Sequence, residues 1–302
     1  MQLLAGLLLA PLLVGLVRRT KALLAGRRGD PLVQAYTDLW KLARKGAVYS
    51  RSTTWVFRAG PVVGLACALA ALALLPMGGF PGLVAFPGDL LLLVGVLALS
   101  RLAMILAALD AGSAFGGMGA SREAWFGALS EPALLLCLAA LARVAHGGSL
   151  ARIEASLGTG AWAASSGALA LASVALFGVL LAENSRIPFD DPATHLELTM
   201  VHEAMVLDHG GPDLALIELA AAAKLWVFAG LLAGVIMPVR TGLAVPDGLA
   251  QLGGIAAIGL ALGVVESTMA RLRLLRVPQL LIGIGILAIL GVMLAPGPGA
   301  AP

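Results

Sequence analysis

Eight apolar runs, each close to the length of one membrane crossing, follow one another along the whole chain. They lie near 2–17, 61–80, 88–109, 130–146, 163–182, 214–237, 248–266 and 277–295. A crossing takes about 20 residues of helix. Backbone N–H and C=O groups in lipid must pair within their own segment, so the runs are expected to be helices, not open strands. The predicted fold class is an all-α integral membrane bundle of about eight transmembrane helices, one polytopic domain over 1–302. Composition agrees, with 60% of the 302 residues hydrophobic and 12% charged, where soluble domains carry about 25% charge. The first run is short enough to suggest a signal peptide. Its basic residues Arg18, Arg19 and Lys21 follow the apolar stretch instead of preceding it, and no small-residue cleavage site appears. It is read as the first helix.

The loops alternate in charge. Segments 18–60, 110–129, 183–213 and 267–276 hold 15 of the 20 Lys and Arg residues, while the opposite set holds Arg143, Arg152 and Arg240. The positive-inside rule puts the first set in the cytoplasm and both termini outside. Ten of those basic residues crowd into 18–60, a basic cytoplasmic loop of the kind that orients helices and meets anionic lipid. Within it Leu32, Tyr36, Leu39, Trp40 and Ala43 recur at helical spacing beside Lys41, Arg44 and Lys45. This predicts an amphipathic helix on the membrane surface or docked under a partner.

Ionisable residues inside the runs are more informative, because a charge at mid-depth costs about 2.5–3.5 kcal/mol even on insertion scales. Arg101 and Lys224 are placed near mid-depth. Asp110, Glu131, Glu183, Glu218 and Glu266 fall in the cytoplasmic third of five different helices. Any one of these acids is explained by snorkelling to water. Together they are read as lining an inward-opening cavity, and with Arg101 and Lys224 as a relay of proton- or ion-exchanging sites.

The acidic, partly helical loop 183–213 is the densest stretch. Asp191 can cap a helix with Pro192 in its first turn, or Thr194 and Glu197 can form a capping box. On one continuous helix His195, His202 and His209 would fall within about 40° of one another. Neighbouring histidines would then stand about 10 Å apart along the axis, too far to share an ion, so the stripe is read as a pH-sensitive polar face. Arg186 follows Glu183 by three residues, close enough to pair if the helix continues. Asp190, Asp191, Glu197, Glu203 and Asp208 extend the acidic series. No Walker loop, metal-ligand cluster or haem-ligating histidine pair is present. Cys67 and Cys137 lie in apolar runs without a partner at ligand or disulfide spacing. Gly112, Gly116, Gly117 and Gly119 are read as a flexible turn.

Several motifs resemble the membrane "heel" subunit shared by complex I, where it is NADH dehydrogenase subunit 1, and energy-converting nickel–iron hydrogenases. The Ala-Glu-x-x-Arg-x-Pro-Phe-Asp pattern is matched by Ala182, Glu183, Arg186, Pro188, Phe189 and Asp190. Asp191 to Met200, His202-Glu203-Ala204-Met205, Phe115 to Glu123, and Asp30-Pro31-Leu32 with Asp38 to Leu42 resemble the hydrogenase branch, including formate hydrogenlyase subunit 4. The resemblance covers nearly the whole chain, and eight helices is the family's number. Two departures are visible. Asp208-His209-Gly210-Gly211 stands where relatives tend to have Glu-Tyr-Ser-Gly. The tail Arg271-Leu272-Arg273…Arg276 lacks the Tyr-Asp-Gln that follows arginine in complex I, so no quinone site of that kind is expected.

The resemblance implies a non-catalytic anchor and coupling subunit in a bacterial or archaeal cytoplasmic membrane. It would join hydrogenase small and large subunits and an iron–sulfur protein to antiporter-like membrane subunits. Iron–sulfur clusters and the nickel–iron centre are expected in those partners, no cofactor in this chain, and no nucleic acid as partner. Asp38, Trp40, Lys41, Arg44, Lys45, Arg122, Glu123, Arg271, Arg273 and Arg276 are the expected docking residues. The charge asymmetry predicts a labelling pattern. In a background lacking Cys67 and Cys137, cysteines at Ser50, Ser121 and Ser185 should resist an impermeant thiol reagent in intact cells, and those at Gly79, Ser156 and Thr241 should react. The reverse pattern would overturn the orientation.

Overall fold

The computed structural model describes residues 2–190, 200–238 and 241–296. In these, eleven α-helices follow in order: α1 Gln2–Leu24, α2 Gln34–Ala43, α3 Trp55–Leu74, α4 Asp89–Asp110, α5 Ala114–Val144, α6 Leu150–Ser156, α7 Thr159–Glu183, α8 His202–Val206, α9 Gly211–Ile236, α10 Ala244–Thr268 and α11 Val277–Leu294. Eight of them, α1, α3, α4, α5, α7, α9, α10 and α11, are long and apolar enough to cross a membrane. The described residues contain no β-strand beyond an isolated Met77–Phe80 bridge. The protein is a multi-pass helical membrane protein.

Helix α9 is the hub, the most buried of the eight spans, packed against α1, α2, α3, α7 and α10. On one flank α3 and α4 pair, and α4 leans on α5; on the other α11 fills the groove between α5 and α7. The core joins Leu93 and Leu97 of α4, Leu134 and Leu138 of α5, Leu176 and Leu180 of α7, and Leu225 and Phe228 of α9, all at most 3% exposed.

Helix α1 runs past 17 to Leu24, and three other boundaries differ from the hydropathy reading for a local reason. Helix α3 begins at Trp55, six residues early, because Thr54 caps it and Asp110 reinforces the cap. The Thr54 Oγ1 accepts from Val56 N–H at 3.2 Å. The Asp110 carboxylate accepts from Thr54 N–H at 2.7 Å, its hydroxyl at 2.8 Å and Phe57 N–H at 3.2 Å. The helix stops at Leu74, just before Pro76, and Gly78 and Gly79 turn at positive φ. Helix α5 begins at Ala114 under a Ser113 cap, so most of the expected loop 110–129 is helix. Its 31 residues reach about 46 Å, beyond a hydrocarbon core of about 30 Å, and the surplus projects on the basic side.

The expected glycine turn at 112–119 is corrected accordingly. Only Gly112, at φ +68°, makes a turn. Gly116 and Gly119 sit inside α5, where a Cβ would come within 2.9 Å of the carbonyl oxygens of Ala108 and Val201. They serve close approach, not flexibility. In α2 the stripe also turns: Ala35, Leu39 and Leu42 line the body-facing side with Asp38, while Trp40 is exposed under the Arg44 guanidinium, 4.2 Å from its ring centre.

Asp110 thus does a structural job, holding the start of α3 against the end of α4. Asp110→Ala should lower stability, because the Thr54 cap loses its support, and Asp110→Asn, which keeps one acceptor oxygen, should lower it by less. Unfolding in mixed detergent with increasing dodecyl sulfate measures this; equal stability of all three proteins would remove the capping role.

Candidate functional site

Arg101 lies near the middle of α4 and is only 8% exposed. A guanidinium at that depth is tolerable only if carboxylates meet it, and α5 and α7 supply them. On α5, Glu123, Gly127, Ser130 and Glu131 recur at steps of four, three and one, one face of a helix. Arg101 Nε is 3.3 Å from Glu123 Oε1, while its two terminal nitrogens donate to Glu131 and to Glu183 at the end of α7. Glu183 Oε1 also accepts from the Ser130 hydroxyl at 2.6 Å, and Glu183 Oε2 meets Lys224 Nζ of α9 at 2.9 Å. The Glu183 side chain is 1% exposed. Gly127 is required here, since a Cβ would lie 2.9 Å from Arg101 Cζ. Two cations and three carboxylates from four membrane helices therefore form one linked cluster.

A cavity of about 110 Å³ borders the cluster, with room for several water molecules. It runs from Arg186, His202 and Met205 at the loop end, past Glu123, Glu183, Arg101 and Lys224, to Leu97 and Ala68 within the bundle. Three further ion pairs tie down its rim. Arg186 Nη1 meets Glu266 Oε1 of α10 at 3.1 Å, and Lys21 of α1 reaches the other oxygen at 3.5 Å. Asp190 meets Arg271 at 3.0 Å and accepts from the N–H groups of Val201 and His202, both at 3.1 Å.

Several sequence expectations move. Glu183 and Arg186 do not pair: α7 ends at Glu183, so the two side chains part, to Arg101 and Lys224 in one case and Glu266 in the other. Of the five acids expected on one cavity, Glu183 borders it, Glu131 joins through Arg101, Glu266 holds Arg186, and Asp110 caps α3. Glu218 is exposed and faces a separate hollow with Arg18 and Asp38. Glu203 is half-buried on α8 and Asp208 is exposed. Asp191 and Glu197, like His195, Pro192 and Thr194, lie outside the described residues.

Among the expected docking residues, Glu123 is drawn inside to Arg101 and Arg271 to Asp190, because α5 and the loop before α11 fold onto the cluster. Arg122 donates to the Met200 carbonyl at 2.8 Å. Asp38 sits 4.0 Å from both Arg18 and Lys41. Trp40, Lys41, Arg44, Lys45, Arg273 and Arg276 are exposed. Ser130, Gly127 and Lys21 escaped the sequence reading. The first two were signalled by their helical spacing from Glu123, hidden once 110–129 was taken as a loop.

The histidine face is also corrected. Helix α8 spans only His202–Val206, so His209 shares no helix with His202. Its ring is buried, stacked on Phe57 with centroids 4.0 Å apart and planes 10° from parallel. Neither ring nitrogen finds a hydrogen-bond partner among the described residues. No group of His, Cys, Asp and Glu in these residues is arranged to hold a metal ion.

Residues 1–295 match the family profile described as NADH dehydrogenase. The chain belongs to this family. It is 34% identical over 232 residues to hydrogenase-4 component C of Escherichia coli (strain K12), covering 77% of this chain and 72% of that one. It is 32% identical over 280 residues to formate hydrogenlyase subunit 4 of the same organism, covering 90% and 89%. An NADH-quinone oxidoreductase subunit of Verminephrobacter eiseniae (strain EF01-2) is 27% identical over 205 residues, covering 65% and 56%. A chain in the structure of the membrane-bound sulfane sulfur reductase, an archaeal respiratory membrane complex, superposes with a TM-score of 0.84 at 20% identity over 97% of each chain. That likeness establishes a common fold. In this chain the eight membrane-length helices enclose the Arg101 cluster.

Burial holds the His209 pKa below its ordinary value, against the opposing pull of Asp213 and Asp208. The unfolded chain therefore binds the proton more tightly than the folded one. Stability from this site is complete above about pH 6.5 and declines as pH falls below it. Thermal midpoints in detergent should drop between pH 7.5 and 5.5 in the native protein, and drop less in His209→Phe, which keeps the stack without a titratable ring. Identical slopes would assign the acid sensitivity to other groups.

Proposed function

We propose that this chain is the membrane-anchoring and coupling subunit of a multisubunit energy-converting nickel–iron hydrogenase complex of the formate hydrogenlyase type. It would link electron transfer in cytoplasmic partner subunits to movement of protons or sodium ions across a bacterial or archaeal cytoplasmic membrane. The observation that carries this reading is the Arg101–Glu183–Lys224 cluster, buried among four membrane helices yet bordered by a cavity that begins at the loop residues Arg186 and His202. Charges so placed are costly, and their usual return is an ion path. The identity to hydrogenase-4 component C and formate hydrogenlyase subunit 4, over most of each chain, favours the hydrogenase branch.

In this reading the chain carries no redox centre. Clusters and the nickel–iron site reside in partner subunits, which meet the exposed Lys41, Arg44, Lys45, Arg273 and Arg276, and antiporter-like subunits continue the ion path. The cavity at the cluster argues for water and ions over a quinone, since about 110 Å³ is well below the roughly 300–1,000 Å³ of pockets for organic ligands. Coupling would work through Lys224 and Glu183. A change in charge at the loop end is felt at both, because they belong to one linked cluster at low dielectric.

Two variants test this. Glu183→Gln keeps the shape and removes a titratable group; Lys224→Arg keeps the charge and removes a site able to release its proton. Both complexes should assemble and turn over while forming a smaller ion gradient per turnover in sealed vesicles. Gradients unchanged at normal turnover in both variants would leave the cluster as a structural feature and end this reading.

A further inference from the structure

On the side of the bundle opposite the basic loops, the connection from Leu75 to Gly88 carries no charged residue. Phe80, Leu83, Val84 and Phe86 in it are all exposed. Beside them stand Leu243, Val245 and Leu249 of the α9–α10 connection and the start of α10, also exposed. The two segments are one surface: Gln251 of α10 accepts from Gly78 N–H, and Gly78 lies so close to Gly248 that no Cβ would fit. The acids bordering this surface are turned inward. Asp89 is fully buried and accepts from Leu150 N–H at 2.8 Å, while Asp247, 2% exposed, accepts from Thr241 N–H and hydroxyl, both at 2.8 Å.

We propose that this surface is a lipid-inserting one, seated in the interfacial layer of the bilayer leaflet on that side. Three observations select lipid as the occupant. Helices α3 and α4, of 20 and 22 residues, are about 30 and 33 Å long, close to a hydrocarbon core of about 30 Å. Their ends therefore stand at the edge of the hydrocarbon, and the connection between them begins there. The apolar surface is also continuous with the flank of α4, where Leu91, Leu92, Leu99, Leu102 and Leu106 are exposed.

The backbone is prepared for a place poor in water as well. Met77 and Phe80 exchange N–H···O bonds at 3.1 Å, Val84 N–H reaches the Ala73 carbonyl, and Gly88 N–H reaches that of Gly148. Gln2 donates to the Phe80 carbonyl, and Pro81 and Pro87 have no N–H to satisfy. A protein partner would be met by a polar rim and hydrogen-bonding side chains; the side chains presented here are aliphatic and phenyl. The surface grips the leaflet opposite the basic loops, so the bundle is held at both interfaces by different chemistry.

The test places one nitroxide label at a time, through cysteine, at Leu83, Phe86 and Val245 in full-length protein lacking Cys67 and Cys137. The protein is reconstituted in vesicles of phosphatidylethanolamine and phosphatidylglycerol. Power saturation compares collisions with oxygen, which concentrates in lipid, and with a water-soluble nickel chelate. Labels at Leu102 and Ser50 serve as the lipid and water references. At all three sites the ratio of oxygen to nickel collisions should lie severalfold above that at Ser50, toward the Leu102 value. Nickel access equal to Ser50 would overturn the proposal, as would protection from both reagents. Shielding seen only in native membranes containing partner subunits would also overturn it, and would assign the surface to a protein partner.

Discussion

A guanidinium buried in the middle of a membrane bundle is the constraint around which the rest of this protein is arranged. Arg101 cannot shed its charge, and burial in the bundle strips it of most of its water, so carboxylates must be brought to it. The structure brings three, from α5 and α7, and answers the excess negative charge with Lys224 of α9. Each of those helices is placed by apolar packing, and Gly127 of α5 leaves the guanidinium its space. Removing one member of such a set leaves another desolvated and unpaired, which costs more than the intact pair contributes. The cluster is thus as much a condition of the fold as a product of it.

The cluster is connected outward through the segment after α7. Glu183 is its last helical residue; three residues on, Arg186 is held by Glu266 of α10, and Asp190 holds both Arg271 and the first N–H groups leading into α8. A short stretch of chain therefore touches the buried charges, α10, and Arg271 and Leu272 of the segment that leads to the exposed Arg273 and Arg276. That segment is joined to Glu183 through Arg271, Asp190 and the chain between Asp190 and Glu183. The membership in the NADH dehydrogenase family and the likeness to hydrogenase membrane subunits agree with that use of the geometry.

Much of this was open to reading in the chain itself. Membrane solvent requires long helices with internally paired backbones, so eight apolar runs announced eight spans, and the skew of basic residues divided the loops into two sets. The motif around Glu183, Arg186, Pro188 and Asp190 pointed to the family. Hydropathy misjudged helix ends where polarity and helicity part company. Residues 114–129 are polar enough to read as a loop, yet a Ser113 cap and continuous i to i+4 bonding carry α5 through them. Once that helix was missed, Glu123 was assigned to a docking surface and Ser130 was overlooked.

The sequence alone determined the class of the fold, the number of crossings and the presence of charges in the membrane, because each follows from the local cost of putting a residue in lipid. It could not say which charges meet. Arg101, Glu123, Glu183 and Lys224 are separated by 22, 60 and 41 residues along the chain, and their meeting depends on how four helices rotate about their axes. That rotation is a property of packing summed over the whole bundle. The same dependence sent Glu183 and Arg186, three residues apart, to different partners: one local event, the end of α7, turned their side chains away from each other, and only the neighbouring helices decided what each would find.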